Sequence, residues 1–302
     1  MPRITDKYIS PFTDFGFKKL FGTELNKDLL IDFLNELLRK DEGKIIDLTF
    51  LPKEQLGRAI DDRRAIFDIY CENEQHEKFI VELQKAKQNY FKDRSIYYST
   101  FPIQSQAKKG KWNFQLKSVY TIGILDFEFE EDKGNKDIFH HEVQLFDKNT
   151  QKVFYDKLTY IYLEMPKFTK TEEQLKTHFD KWLYILKNLE DLTKRPKKLQ
   201  EKIFSKLFEQ AEIANYTDDE YADYEQSLKY YRDLKNSIDT AFDDGKIEGK
   251  IEGERIGEKK GEKKGEKKNQ LATAKRMKSK GYSLEDIVDM TGLSIDEISK
   301  SI

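Results

Sequence analysis

The sequence predicts an α/β core followed by a helical C-terminal region, and three observations support this fold class. Apolar residues recur at helical spacing over residues 15–39. Two segments, residues 64–72 and 78–84, have the composition and patterning of β-strands. From residue 172 onward the spacing of apolar residues is again helical. The order helix, strand pair, helix, further strands and then helices is typical of an α/β domain that carries a helical extension.

The two predicted strands should form a hairpin. Residues 64–72 alternate, so that Asp68 and Phe67 should face opposite sides of the first strand. Residues 78–84 form the second strand, and the polar stretch 73–77 between them has the composition of a turn. We therefore expect an antiparallel pair.

The other elements follow from the same spacing rules. The helix at residues 15–39 should break near Gly22, and a helix at residues 88–109 should bend or break at Pro102. The remaining predictions are an extended segment at residues 45–51, strands at 118–127, 140–146 and 158–164, and helices beyond.

Charge and cysteine content limit the classes of protein. The 302 residues carry a formal net charge of −2, so that any nucleic-acid-binding surface must be local. The single cysteine, Cys71, excludes an internal disulfide and fits a reducing compartment. The sequence has neither a signal-peptide run nor an uncharged stretch as long as a membrane span. We expect a cytoplasmic protein that does not associate with membranes.

Three polar residues of the predicted hairpin form a candidate site. Asp68 lies on the first strand, while Glu82 and Gln84, two residues apart, share one face of the second. Mg²⁺ prefers oxygen ligands, so that Asp68, Glu82 and the backbone carbonyl of Leu83 are candidate metal ligands. A metal held there would polarise a phosphate and activate water, which predicts phosphodiester cleavage. The alternative is a pair of simply solvated carboxylates, which many sheets contain.

Four segments carry a resemblance to a known family. They are DFGFKKLFG from residue 14, RAIFDIY from residue 64, IVELQ from residue 80 and QNYFKDRSIYY from residue 88. Over roughly residues 1–270, the chain resembles the Rpn family of recombination-promoting nucleases, also described as transposases, in the PD-(D/E)XK nuclease superfamily.

The resemblance implies both a fold and an activity. The fold would be a restriction-endonuclease-like core over residues 1–168, with a mixed central sheet flanked by helices. The activity would be that of a Mg²⁺-dependent DNA endonuclease of low sequence specificity, with Mn²⁺ as a substitute cation, linked to recombination or mobile elements. The alternative is a catalytically inactive module that keeps the fold and binds nucleic acid or protein.

By this resemblance, Asp68, Glu82 and Gln84 are the catalytic set. Asp14 would be a fourth member, although capping of the first helix accounts for Asp14 equally well. The superfamily usually has Lys at the position of Gln84, but Gln belongs to the pattern of this family. Gln84 can donate a hydrogen bond to water or phosphate without carrying charge.

The missing positive charge must then come from another residue. The candidates are Lys85, Lys87 and Arg94, and we favour Arg94 because Lys85 should face the opposite side of its strand. Candidate DNA contacts are Lys87, Tyr90 and Tyr98. The alternative for these tyrosines and for Tyr97 is packing in the core.

Glycine recurs every four residues from 245 to 265, with Lys and Glu between the glycines. Each Gly costs a helix about 1 kcal/mol relative to Ala, and the repeat also stacks like charges four residues apart. We predict a linker or marginal helix at residues 243–268, after a helical extension at residues 169–242. The alternative is a helix stabilised by pairing with a second copy, which would make the protein a homo-oligomer.

Residues 269–302 should form a small helix-turn-helix-like unit. Gly281 should end a helix, and Ser283 and Ser294 should begin the next two. Because Asp296 and Glu297 stand where a DNA-reading helix needs basic or amide side chains, a role in packing or in a protein contact is favoured over DNA readout.

Overall fold

The computed structural model describes residues 6–39, 43–55, 65–107, 110, 112–132 and 134–301. Internal contacts divide the chain into two compact units, one ending at Asn236 and the other beginning at Ser237. The first unit contains the strands and the candidate site, and the second is helical. The finer division at residues 168, 242 and 268 stays a prediction from composition.

The described residues form the following elements. The α-helices are α1 (Asp14–Phe21), α2 (Lys27–Leu38), α3 (Phe91–Ser105), α4 (His178–Asn188), α5 (Lys202–Ala211), α6 (Asp218–Ser279), α7 (Leu284–Thr291) and α8 (Ile295–Ser301). The strands are β1 (Leu48–Phe50), β2 (Glu54–Gln55), β3 (Ala65–Ile66), β4 (Ile69–Asn73), β5 (Lys78–Gln84), β6 (Val119–Leu125), β7 (His140–Asp147) and β8 (Lys152–Glu164).

Six of these strands form one mixed sheet in the order β1-β4-β5-β6-β8-β7. The inner pairs β5–β6 and β6–β8 are parallel, whereas β1–β4, β4–β5 and β7–β8 are antiparallel. β6 is buried along its whole length and β5 along nearly all of it, as expected of central strands covered on both faces. The predicted α/β core is therefore confirmed, and so is the predicted hairpin of β4 and β5.

Hydrophobic cores lie on both faces of the sheet. Alternate residues of β8 divide between them, with Ile161 and Leu163 in the larger core and Tyr160 and Tyr162 in the smaller one. The larger core also contains apolar side chains of α1, α2, α4 and α5, whereas the smaller core contains Phe91 of α3. α1 and α3 thus pack on opposite faces of the sheet. The two faces of the candidate site are therefore surrounded by different helices.

The predicted strand at residues 64–72 is wrong as a single element. Arg64 lies outside the described residues, and the remainder forms β3 and β4 with a bend at Asp68. Regular alternation over residues 64–72 would put Phe67 and Tyr70 on opposite faces, but the bend shifts the alternation and both lie in one cluster. The physical cause is that Asp68 makes hydrogen bonds to β5 through both its side chain and its backbone N–H.

Several predicted boundaries also need correction. α3 begins at Phe91 rather than at residue 88, because Tyr90 has a left-handed backbone with φ 62°, and the helix continues through Pro102. Lys108 and Lys109 lie outside the described residues. The other corrections are that the strand within 45–51 is Leu48–Phe50, that β6 is shorter than 118–127, that β7 extends to Asp147 and that β8 begins at Lys152 rather than at 158.

The break predicted near Gly22 is confirmed, since α1 ends at Phe21 and a short 3₁₀ helix, Glu24–Asn26, precedes α2. Capping of α1 by Asp14 is wrong. The hydroxyl of Thr13 accepts the hydrogen bond from the backbone N–H of Gly16, so that Thr13 is the cap and Asp14 is the first helical residue.

The second unit consists of the later part of α6 with α7 and α8. The glycine repeat lies within α6, and its residues are exposed. Gly281, with φ 84°, follows the end of α6, while Ser283 caps α7 and Ser294 exchanges hydrogen bonds with Glu297 at the start of α8, all as predicted. Self-association through this region stays a prediction.

Among the described residues, no helix combines the length and the apolar composition that crossing a membrane requires.

A hydrogen-bonded group at the larger core links stability to pH. Oδ2 of Asp32 accepts from the indole N–H of Trp182 at 2.7 Å and lies 2.6 Å from Nε2 of His178. The hydrogen bond to Asp32 raises the pKa of His178 above its ordinary value. The resulting stabilisation is fully present below the pKa of an unfolded His, about 6.5, and is lost as pH rises through the higher folded-state pKa.

Asp32→Asn should therefore lower the free energy of unfolding by about 1 kcal/mol more at about pH 5.5 than at about pH 8.5. Urea denaturation at the two pH values measures this difference. Asp28→Asn is the matched control, because Asp28 pairs at 2.6 Å with Lys206 rather than with a histidine. An equal cost of Asp32→Asn at both pH values would show that the pair with His178 contributes no pH-dependent stability.

Candidate active site

The candidate site lies where the bend before β4 meets the end of β5. Oδ2 of Asp68 accepts a hydrogen bond from the backbone N–H of Leu83 at 2.8 Å. The backbone N–H of Asp68 donates to Oε1 of Glu82 at 3.2 Å. These bonds follow directly on the antiparallel ladder that pairs Ile69 with Val81. The structure therefore brings the two predicted carboxylates together and fixes both to the same strand end.

Glu82 and Gln84 are buried on the α3 side of the sheet. They line a small pocket of about 10 Å³ together with residues of α3, β6 and β8. Gly123, which pairs with Glu82 across β5 and β6, helps to leave this space open, because a Cβ atom there would lie 3.1 Å from the ring of Tyr162. A pocket of this volume holds about one water molecule.

Arg94 is the cation that α3 brings to this pocket. Its Nη2 lies 3.7 Å from Oε2 of Glu82, and its Nη1 donates to Oε1 of Gln88 at 2.8 Å. The guanidinium also lies over the ring of Tyr98, 4.8 Å from the centroid. These contacts hold a positive charge beside Glu82 before any ligand binds.

The predicted DNA-contact residues occupy different environments near α3. Lys87 is half-exposed and pairs with Glu130 at 2.8 Å. Tyr90 is 80% exposed, whereas Tyr98 is half-buried and packs on Phe67 with ring centroids 5.4 Å apart. The structure therefore leaves Tyr90 accessible and ties Tyr98 into the fold.

Glu82 is buried and Asp68 is half-buried beside it, with little compensating charge. Burial and then the charge of Asp68 raise the pKa of Glu82 to about 8. Burial also raises the pKa of Asp68, although the hydrogen bond from Leu83 acts in the opposite direction. The charges of Arg94 and Lys18 lower the pKa of Glu82 but do not outweigh its burial. The pair therefore favours either a proton or a cation between its oxygens.

The ligands available at this pair fit a hard divalent cation. Both carboxylates and the backbone carbonyl of Leu83 offer the oxygen ligands that Mg²⁺ takes. Within the described ranges, no group of three or more His, Cys, Asp and Glu side chains could hold a metal ion. Coordination at Asp68 and Glu82 would therefore have to be completed by water and a substrate phosphate, which is common for Mg²⁺.

A much larger cavity, of about 860 Å³, opens on the α1 side of the sheet. We call it the α1–α6 cavity, because α1 and the first part of α6 form two of its walls, and the residues just before β2 and just after β5 complete it. The lining residues important here are Asp14, Lys18, Lys19, Lys53, Lys85 and Tyr230. Lys85 thus lies on the opposite side of the sheet from Glu82 and Gln84, as its position in the strand predicts.

The α1–α6 cavity is electrostatically connected to the carboxylate pair. Burial lowers the pKa of Lys53 and of Lys85, and the charges of Asp14 and Asp68 act against this shift. Asp14 is exposed and pairs with Lys18 at 2.7 Å. The charge of Asp68 therefore acts on Glu82, which lines the pocket on one side of the sheet, and on Lys53 and Lys85 on the other.

Two of these cavity residues were missed by reasoning from the sequence. Lys18 lies in the segment DFGFKKLFG that carries the family resemblance, so that a signal for it was present. Lys53 lies between two short strands and approaches Asp68 only through the tertiary fold, so that no local pattern indicates it.

A model of the PD-(D/E)XK nuclease family transposases matches residues 11–241. The matched range includes α1, the hairpin that carries Asp68 and Glu82, α3 and the part of α6 that lines the cavity. Searches of curated proteins and of solved structures found no match.

The chain belongs to the PD-(D/E)XK nuclease family transposases, since the match covers more than half of its length. Its mixed six-stranded sheet flanked by helices fits the restriction-endonuclease-like fold, so that the predicted fold class and the family resemblance are confirmed. Membership implies a nuclease role connected with mobile elements. It also implies that the substrate is DNA. Nucleases of this superfamily generally use divalent metals.

The buried carboxylate pair should cost the metal-free protein stability. Because the pKa of Glu82 is raised to about 8, the stability that its protonated form provides is fully present below the ordinary Glu pKa and is lost as pH rises to about 8. Glu82→Gln, which mimics the protonated form, should therefore be more stable than the wild type by roughly 1–3 kcal/mol at about pH 8, and nearly equal at about pH 4.5. Urea denaturation in EDTA measures both differences.

Glu131→Gln is the matched control for this measurement. Glu131 is exposed and pairs with Lys92, so that its replacement should change the unfolding free energy by less than about 1 kcal/mol. A Glu82→Gln variant that is no more stable than the wild type at about pH 8 would show that the pair carries no electrostatic cost.

Proposed function

We propose that this protein is a metal-dependent DNA endonuclease of low sequence specificity that acts in recombination or in the movement of mobile elements. The observation that carries the proposal is the pairing of Asp68 with Glu82 at the end of β5, in a chain of the PD-(D/E)XK nuclease family. A cytoplasmic location remains the expectation from composition.

In this proposal, Asp68, Glu82 and the backbone carbonyl of Leu83 hold Mg²⁺, or Mn²⁺ in its place. The bound cation would polarise the scissile phosphate and make water a better nucleophile at neutral pH. The raised pKa of Glu82 supports the assignment, because a buried carboxylate pair binds a divalent cation as an alternative to a proton.

Gln84 and Arg94 act on the α3 side. Gln84 lines the same small pocket as Glu82 and can hydrogen-bond a water there, but its amide cannot take up a proton from it. Arg94, 3.7 Å from Glu82, supplies positive charge against the charge that develops as water attacks phosphorus and the bond to the leaving oxygen breaks.

Asp14 is proposed as a fourth member of the catalytic set. Its charge acts on Asp68, and it lines the α1–α6 cavity, where it pairs with Lys18. Lys87, Tyr90 and Tyr98 remain the proposed DNA contacts on the α3 side, with Tyr90 as the most accessible of them.

A plasmid-nicking assay tests the proposed activity. Purified wild-type protein should cut DNA with Mg²⁺ or Mn²⁺ and lose this activity in EDTA. Asp68→Asn and Glu82→Gln should each lower the rate by at least about 100-fold, because each removes one of two carboxylate ligands. Circular dichroism checks that both variants remain folded.

Asp28→Asn serves as the control, since Asp28 pairs with Lys206 through a surface contact and belongs to no part of the proposed site. Cleavage that persists in both carboxylate variants would contradict the catalytic assignment. Binding of DNA without cleavage by the wild type would favour the inactive nucleic-acid-binding module instead.

A further inference from the structure

The two faces of the sheet give very different access to the carboxylate pair. On the α3 side, Glu82 and Gln84 line a pocket of about 10 Å³, which is too small for a phosphate group. On the α1 side, the α1–α6 cavity measures about 860 Å³, within the range of about 300–1,000 Å³ that ligand pockets commonly have. Of these two openings, the α1–α6 cavity is the one with room for part of a polymeric substrate.

The lysines that line the cavity differ in whether an acidic side chain forms a close ion pair with them. Lys18 pairs with Asp14, and Lys19 pairs with Glu220. Lys53 and Lys85 are half-buried, and among the described residues Asp14 and Asp68 act on them only as neighbouring charges, without a close ion pair. Two half-buried ammonium groups that line one cavity are suited to an anion such as a phosphodiester.

An exposed aromatic ring stands next to these charges. Tyr230 of α6 is 65% exposed and lines the cavity. The ammonium of Lys85 lies 5.7 Å from the centroid of its ring. A flat ring beside a phosphate-binding cation is the arrangement with which proteins hold nucleic-acid strands, because the ring stacks on a base while the cation contacts the backbone.

We propose that the α1–α6 cavity holds the DNA strand next to the bond that is cut, with a backbone phosphate between Lys53 and Lys85 and the adjoining nucleoside against Tyr230. This inference rests on the proposed function, whose site it extends. It places the strand on the opposite face of the sheet from Lys87 and Tyr90.

The test measures binding of a labelled oligonucleotide by fluorescence anisotropy. The full-length chain carries Glu82→Gln and is kept in EDTA, so that binding is read without cleavage. Lys53→Gln and Lys85→Gln should each weaken binding about tenfold and lower the slope of log affinity against log salt by about 0.7–0.9, the contribution of one phosphate. Tyr230→Ala should weaken binding by at least about fivefold without changing the slope, since it removes stacking only.

Three further variants make the result specific. Lys206→Gln removes a lysine that pairs with Asp28 and should leave both affinity and salt slope unchanged. Lys85→Arg keeps the charge and should restore the slope. Lys87→Gln compares a lysine two positions away on the α3 side and should lower the affinity less than Lys85→Gln does.

The outcomes separate the cavity from the activity. The cavity assignment would be overturned if affinity and salt slope were unchanged in both Lys53→Gln and Lys85→Gln. It would also be overturned if Lys87→Gln lost more affinity than Lys85→Gln. Either result would count against the cavity even if the wild type cuts DNA. Loss of binding in the two cavity variants, together with a wild type that never cuts, would support the cavity and contradict the nuclease proposal. Thermal unfolding of each variant excludes misfolding as the cause.

Discussion

The hydrogen bonds that join the bend at Asp68 to the end of β5 are the interaction on which the site depends. Asp68 accepts from the backbone N–H of Leu83 and donates its own N–H to Glu82. A buried polar group without a hydrogen-bond partner lowers the stability of the folded protein. Each of these two hydrogen bonds therefore helps to hold the other in place. The bend, the split between β3 and β4 and the position of both carboxylates follow from this exchange.

The same arrangement works against the stability of the metal-free protein. The buried carboxylate of Glu82 and the half-buried carboxylate of Asp68 are held together, and the surrounding fold does not neutralise them completely. Arg94 compensates from the α3 side, while Lys53 and Lys85 carry charge on the α1 side. Active sites often carry such a cost, because groups arranged to bind a reacting ligand are not arranged for the lowest energy without it.

The sequence indicated the hairpin and its polar residues, because strand composition and a polar turn are local properties. The bend at Asp68 has no local signal, since its cause is a hydrogen bond to a neighbouring strand. Thr13 and Asp14 are both good caps by residue type, and only the geometry shows that Thr13 makes the bond. Lys53 joins the cavity through tertiary contacts, whereas Lys18 lies within a segment that already carried the family resemblance.

A calorimetric titration of Mn²⁺ into the wild type and Glu82→Gln at about pH 7 tests the central claim most directly. The titration is repeated in buffers of different ionisation enthalpy. With the pKa of Glu82 raised to about 8, the wild type should release protons when it binds the ion, up to about one per site. Glu82→Gln should bind at least about tenfold more weakly and without this release. Equal Mn²⁺ binding by the two proteins would contradict the assignment of Asp68 and Glu82 as the metal site.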